Sequence, residues 1–321
     1  MRIANIYEVL SLIRREGAMT RKEIQGIMGL SWGGVSQMVS RLNELSFIKE
    51  EKEDSAVKAG RRPSVLTLNG DDNFVIGADI NKSGLYLEAV NLAGKTVFSL
   101  SGKADSSGKK AFYKSIVSLL DSAFLSLSGK NILAIGIAMQ GRVDSERGIS
   151  EDIGISGWKD EPIGDNLKER FNVPVYIAHD PDCILTAGAG EKKEDALLLR
   201  IDKGLGMAVM KNKRLISGAG MLEIGNAVSE SGERVGDLLY KGEDFLPALS
   251  SALANAMILF DIDTLMLCGA YSDSHPELIK ELSERISALM KKGIFAVSFD
   301  VRNAAYGAAQ SAAEKFLSYI D

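Results

Sequence analysis

Apolar residues recur at helical spacing over the first 45 positions, and further along they give way to alternating and continuous apolar runs. Ile6, Val9, Leu10 and Ile13 predict a helix ending near Gly17. Thr20 and Glu23 form a T-x-x-E capping box, in which each side chain satisfies one orphan backbone N–H. A second helix therefore starts there and carries Ile24, Ile27 and Met28 on one face. Gly29 stands where a left-handed residue ends a helix, and Ser31 is placed to cap a third helix two residues later. That third helix has a stripe at Val35, Met38, Val39, Leu42 and Leu45. Phe47 to Glu51 and Ser64 to Leu68 read as two strands of a wing joined by a polar loop.

Beyond the turn formers Asn69-Gly70-Asp71-Asp72-Asn73 the pattern changes. Strands are predicted from Phe74 to Asp79, from Gly84 to Leu92 and from Thr96, then a helix from Lys110 to Leu127 and an apolar strand from Ile132 to Met139. A like series follows: strands at Ala196 to Ile201, Gly206 to Met210 and Arg214 to Ser217, a helix around Leu246 to Phe260, and a strand at Thr264 to Cys268. A helix from Pro276 to Met290, a strand from Ile294 to Val301 and a last helix from Ala304 complete it. The reading is a winged helix-turn-helix over 1–69 followed by two α/β lobes over 70–321, with a cleft between the lobes.

The third helix shows Trp32, Gly33, Gly34, Ser36, Gln37, Ser40 and Arg41 on its other face, small and hydrogen-bonding residues suited to a major groove. Thr20, Arg21 and Ser31 at the helix starts complete the candidate DNA-facing set. Arg61 and Arg62, on a stretch stiffened by Pro63, suit phosphates or a narrow minor groove. Net charge is −5, but residues 1–69 hold 11 Lys+Arg against 8 Asp+Glu while the remainder holds 27 against 35. The positive end is the end expected to bind DNA. Removing it is expected to leave a folded body.

At 321 residues the chain holds more than one core. Two cysteines, Cys183 and Cys268, make neither a disulfide framework nor a thiolate zinc set, and neither a signal-peptide pattern nor an apolar run long enough to span a membrane is seen. A cytoplasmic location is expected. Trp158 reads as a packing residue, His275 as an exposed neighbour of a helix start, and the pairs Lys109-Lys110 and Lys291-Lys292 as solvated helix ends.

Several motifs then fall in one order: Gly60-Arg61-Arg62-Pro63, Ile76-Gly77-Ala78-Asp79-Ile80, and Ile135 to Gly141 with Val143-Asp144 and Gly148 behind it. Gly157-Trp158, Val173-Pro174-Val175 leading to His179-Asp180, and Gly188 to Glu191 come next, then Gly204-Leu205-Gly206, Leu222 to Gly225 and Cys268-Gly269-Ala270. In this order the sequence resembles the ROK family of repressors and sugar kinases, built on the actin-like, hexokinase-like ATPase fold. The resemblance implies that Asp180 matches the kinases' general base, and that Gly141, His179, Asp180, Glu223 and Asn226 line a sugar site. It also implies a degenerate nucleotide site at Asp79, Asn81, Lys82, Gly204, Gly206 and Gly269. Without the resemblance, Asp180 reads equally as the cap of the next helix.

Departures from the family pattern argue against phosphoryl transfer. Asparagine usually precedes the catalytic aspartate, where His179 stands. Asn81 and Lys82 replace the glycine and threonine of the first phosphate loop, and Lys203-Gly204-Leu205-Gly206 lacks the second loop's hydroxyl. The family's zinc motif is also missing: Asn226 follows Gly225, and Ala227 to Arg234 contain no Cys or His. The expectation is a transcriptional regulator, a repressor of sugar-utilisation genes, that needs no cofactor. It binds an inverted-repeat operator as a homodimer or dimer of dimers and senses a sugar effector. The alternatives are an active hexose or N-acetylhexosamine kinase using Mg-ATP, and a regulator that answers to a protein partner.

Overall fold

The structure, a computed structural model, describes residues 6–52, 64–189, 195–216, 223–242, 244–298 and 303–320. Helix α1 (Ile6–Glu16) precedes a two-residue strand β1 (Met19–Thr20), and α2 (Arg21–Met28) follows directly. Both halves of the capping box are made: Glu23 N–H donates to the Thr20 hydroxyl at 3.3 Å, and Thr20 N–H donates to the Glu23 carboxylate at 2.7 Å. Gly29, at φ +65°, ends α2, and the Ser31 hydroxyl accepts from Gly34 N–H at 3.1 Å to start α3 (Trp32–Glu44). Strands β2 (Ile48–Lys52) and β3 (Ser64–Leu68) pair antiparallel, and β1 lies on the far side of β3.

Ile24, Val35, Val39 and Leu42 are fully buried as the periodicity predicts, but Ile27 is 58% exposed. At about 100° per residue Ile27 and Met28 flank Ile24 on opposite sides, and only Met28 packs on the shared apolar cluster. The Arg61 and Arg62 positions and most of the wing loop lie outside the described residues.

The body contains two five-stranded sheets of the same topology. In the first, β4 (Asn73–Asn81), β5 (Gly84–Asn91) and β6 (Thr96–Gly102) form an antiparallel meander. After α4 (Lys109–Ser126), β7 (Asn131–Met139) lies parallel to β4. The hairpin β8 (Arg142–Asp144) and β9 (Ile149–Asp152) and helix α5 (Ile163–Phe171) lead to β10 (Val175–His179), parallel to β7. The order is β10-β7-β4-β5-β6. Helix α6 (Asp180–Ala189) crosses to the second sheet, where β11 (Ala196–Ile201), β12 (Leu205–Lys211) and β13 (Arg214–Leu215) repeat the meander. After α7 (Val235–Leu238) and α8 (Phe245–Phe260), β14 (Thr264–Cys268) pairs parallel with β11. Beyond α9 (Ala270–Ser274) and α10 (Leu278–Met290), β15 (Phe295–Ser298) pairs parallel with β14. The order β13-β12-β11-β14-β15 matches the first sheet strand for strand.

Helix α11 (Asn303–Ser318) departs from the sequence reading, which grouped it with the second series. It packs against α6, β7 and β4 of the first lobe. The cause is a close fit of small residues. A Cβ at Gly77 would overlap the Ala305 carbonyl, one at Gly136 the Ala308 carbonyl, and one at Gly307 the Cys183 carbonyl. Only glycine lets these backbones approach so nearly. The other face of α11 meets α1, so one apolar cluster runs from Val9, Leu10 and Ile13 through Val75, Val90 and Leu92 to Ala309, Ala312 and Leu317. The core does not stop at residue 69. Removing residues 1–69 would lay bare Val75, Val90, Leu92 and Leu317, against the expectation of an intact body.

Candidate functional site

Asp79 lies two residues before the end of β4 and His179 ends β10, so both stand toward the carboxyl edge of the first sheet, beside the first turn of α6 with Asp180. Across the cleft, β11 ends in Arg200 and Ile201 before Asp202. Arg200 is the residue that sequence reasoning missed. Its Nη1 pairs with the Asp180 carboxylate, and its Nε donates to Asp202 Oδ2 at 2.6 Å. The Arg200 side chain is 13% exposed and that of Asp180 6%, so a buried ion pair joins one lobe to the other. The available signal was a cation inside the otherwise apolar run Leu197-Leu198-Leu199-Arg200-Ile201.

The carboxylates crowd this cation. Burial, and then the charge of Asp180, pushes the Asp79 carboxyl up to about 7, with Arg200 and Asn81 pulling the other way. Asp79 Oδ1 is buried without a hydrogen-bond partner. His179, with Nε2 3.5 Å from Asp180 Oδ1, is shifted down by burial against the pull of Asp180 and Glu223. Burial likewise pushes Asp182 up to about 7, with Asp180 adding to it. The structure thus brings Asp79, His179, Asp180 and, through its charge, the exposed Glu223 together. Asn226 is exposed and reaches Arg234 at 3.5 Å. Gly141, at φ +83°, lies where a Cβ would strike the Asp152 carbonyl, so it shapes the turn into β8.

Several amides of the loops expected to hold a nucleotide are already engaged. The Asn81 side chain accepts from Ser83 N–H at 3.0 Å and Gly84 N–H at 3.1 Å, and Gln140 Oε1 accepts from Lys82 N–H at 3.1 Å. In the second loop Asp202 N–H donates to Gly204 O at 3.0 Å, and Ala270 N–H, just after Gly269, donates to Asp202 Oδ1 at 2.6 Å. Gly206 packs on Pro181. Phosphate oxygens would find the Lys82, Ser83, Gly84 and Ala270 amides already satisfied by the protein's own side chains. The residues do not fit Mg-ATP. Nor do they fit a thiolate zinc centre: the Ala227 to Arg234 loop is closed by a backbone bridge between Val228 and Arg234, and Cys183 and Cys268 are both buried elsewhere.

On the winged helix, Trp32 is 54% exposed, and Gly33, Gln37, Ser40 and Arg41 also face outward, with Ser36 half-buried. Arg41 lies 3.3 Å from Glu44. Arg21 has a different role from the one expected: its guanidinium forks onto Glu50, with Ser64 3.0 Å away, fastening α2 to the wing strands. The Arg21 and Ser64 contacts hold Glu50 down at about 2. Thr20 and Ser31 are committed to their caps. Trp158 is a packing residue, edge-on to Phe112 at 5.3 Å with its indole N–H on Ser150 Oγ at 3.0 Å. Lys109 is more than a solvated helix end, since it neutralises the buried Glu161.

The ROK family model matches residues 76–237. The xylose repressor of Caldicellulosiruptor bescii is 26% identical over 222 residues, 66% of this chain and 54% of that protein. The N-acetylglucosamine repressor of Escherichia coli O6:H1 is 26% identical over 245 residues, 72% and 59% of the two chains. The chain therefore spans a little over half the length of the curated relatives it matches. A solved ROK family transcriptional regulator, described as a homologue of the Escherichia coli MLC protein, aligns over 97% of this chain and 96% of its own, with TM-score 0.79 and 16% identity. A ROK family glucokinase from Streptomyces griseus, in complex with glucose and AMPPNP, aligns over 75% and 99% with TM-score 0.60 and 16% identity. These likenesses show the fold: the two-lobed actin-like, hexokinase-like body carried behind a winged helix. No described helix is long and apolar enough to cross a membrane.

Proposed function

The chain belongs to the ROK family, and from that premise we propose that it is a DNA-binding transcription regulator, a repressor of sugar-utilisation genes acting in the cytoplasm. Its winged helix reads operator DNA, and its body senses a carbohydrate in the cleft at Asp180. One observation carries the reading: an outward-facing α3 surface shares a hydrophobic core with the first lobe and α11, in a body whose loop amides at Lys82, Gly84 and Ala270 are occupied by Gln140, Asn81 and Asp202. A body that cannot seat a nucleotide keeps binding and loses transfer. The names of the curated relatives, repressors in both cases, support the same reading.

Gln37 and Ser40 offer hydrogen bonds to base edges, and the exposed Trp32 and Ile27 offer apolar surface to a thymine methyl. One such helix reads few base pairs, so the operator is an inverted repeat bound by a homodimer or a dimer of dimers. In the cleft, Asp180 and Glu223 accept from sugar hydroxyls, His179 and Asn226 select among sugars, and a ligand on Asp180 competes with Arg200. Changing that interlobe pair shifts the population between lobe arrangements. Helix α11, packed on both the first lobe and α1, carries the change to the reading head.

The test is fluorescence anisotropy of the full chain on an operator selected from random duplexes, with sugars added singly. The expected result is sequence-specific binding that weakens steeply with salt and changes with at least one sugar. Equal affinity for all duplexes would overturn the assignment.

A further inference from the structure

Away from the cleft between the lobes, a cavity of about 840 Å³ opens where three parts of the molecule meet: α1 of the winged helix, the β12–β13 hairpin of the second lobe, and α11. Its floor is apolar, with Leu10, Val75, Val90, Leu92 and Met210 buried in it. Its charged residues are Arg14, Arg15, Lys213, Arg214 and Lys315 against the single acid Glu314. Glu314 is already engaged by the Tyr7 hydroxyl and the charge of Arg14. Arg15 pairs with Glu16 at 2.7 Å, and Lys315 lies over the Tyr176 ring at 5.8 Å. Arg214 and Lys315 form no ion pair within 4.0 Å among the described residues, although the Lys315 charge also acts on Asp182.

One further feature points to an occupant. Gln310, on the α11 wall, has a buried Oε1 with no hydrogen-bond partner in the structure, an acceptor that calls for a donor. The hairpin tip, Asn212-Lys213, turns with both residues at positive φ, 51° and 62°. The turn places Lys213 on the cavity rim.

We propose that this junction is a second ligand site, for a small organic dianion that also carries a hydroxyl or N–H donor. The anionic end meets Arg214 and Lys315, the donor meets Gln310, and the apolar body of the molecule covers the floor. Because the walls come from the winged helix and the second lobe, a ligand here fastens the reading head to the body. That coupling rests on the DNA-binding reading; the binding itself does not.

The experiment is calorimetry on the full chain, without DNA, using glucose 6-phosphate, adenosine 5′-monophosphate and malate, with glucose and inorganic phosphate as controls. At least one organic dianion is expected to bind with Kd below about 1 mM, weakened about tenfold or more in Arg214→Ala and in Lys315→Ala. Arg214 is exposed on a hairpin, so its loss leaves the folded core in place. The site is refuted if none of the three binds up to about 10 mM. Equal binding of inorganic phosphate, an adventitious ion only, also refutes it, as does affinity lost in Asp180→Asn but kept in Arg214→Ala, which places the ligand between the lobes. A chain that binds operator but no dianion sinks this site alone, and one that binds a dianion but no operator sinks the regulator reading alone.

Discussion

Replacing Arg200 by methionine keeps the length and apolar stem of the side chain and removes the only cation that touches Asp180 among the described residues. Breaking a buried pair by deleting one member costs about 3–5 kcal/mol, because the remaining charge stays buried without compensation. Asp180 is 6% exposed, but Asp202, the other acid on Arg200, is 30% exposed and partly screened, so the lower figure of about 3 kcal/mol applies. In a chain of this size that lowers Tm by roughly 6–12 °C.

The loss has a defined pH dependence. Asp79 is pushed up to about 7, so the folded state favours its protonated form. The stability this gives is complete below the ordinary carboxylate range and is lost as pH rises through about 7. Arg200 opposes that upward push. Without it the shift grows, and Arg200→Met should recover between pH 8 and pH 6 more than the native chain does. Thermal melts followed by circular dichroism at the two pH values read both effects, and the double variant Arg200→Met/Asp180→Asn should regain most of the loss. A single variant within about 1 kcal/mol of native at pH 8, or one equally weakened at both pH values, would refute the interlobe pair as described.

Gln37→Ala should lose roughly 1–3 kcal/mol of discrimination between operator and mismatched duplex, measured by competition anisotropy, while affinity for unrelated DNA stays level. A chain of residues 70–321 should bind a hydrophobic dye and aggregate, since it uncovers Val75, Val90, Leu92 and Leu317; a monodisperse truncated body with native-like melting would count against the shared core. With Mg-ATP and a panel of hexoses, N-acetylated hexosamines and xylose, coupled ADP release should stay far below the usual enzyme range of about 1–1000 per second. Turnover within that range, lost in Asp180→Asn, would promote the kinase alternative.

Features set by near neighbours in the chain were legible in the sequence. The Thr20–Glu23 box, the Gly29 stop and the Ser31 cap each involve groups within about four residues, so residue identity and spacing specify them, and the structure contains all three. The two strand series were readable for the same reason, because apolar period and turn residues act locally. The position of Asp180 at the carboxyl end of a strand was legible in the sequence, and the structure has it directly after β10. What lay beyond such spacing was decided by tertiary packing. The exposure of Ile27 depends on which flank of α2 the apolar cluster covers, and the docking of α11 on the first sheet depends on Gly77, Gly136 and Gly307 meeting backbone that is distant in sequence. Arg200 could be seen as an oddity in an apolar strand, but its pairing with Asp180 twenty positions earlier arises only when the two lobes face each other. The energy of that contact is electrostatic and falls with separation and solvent, so it exists only where the fold brings the charges together and excludes water.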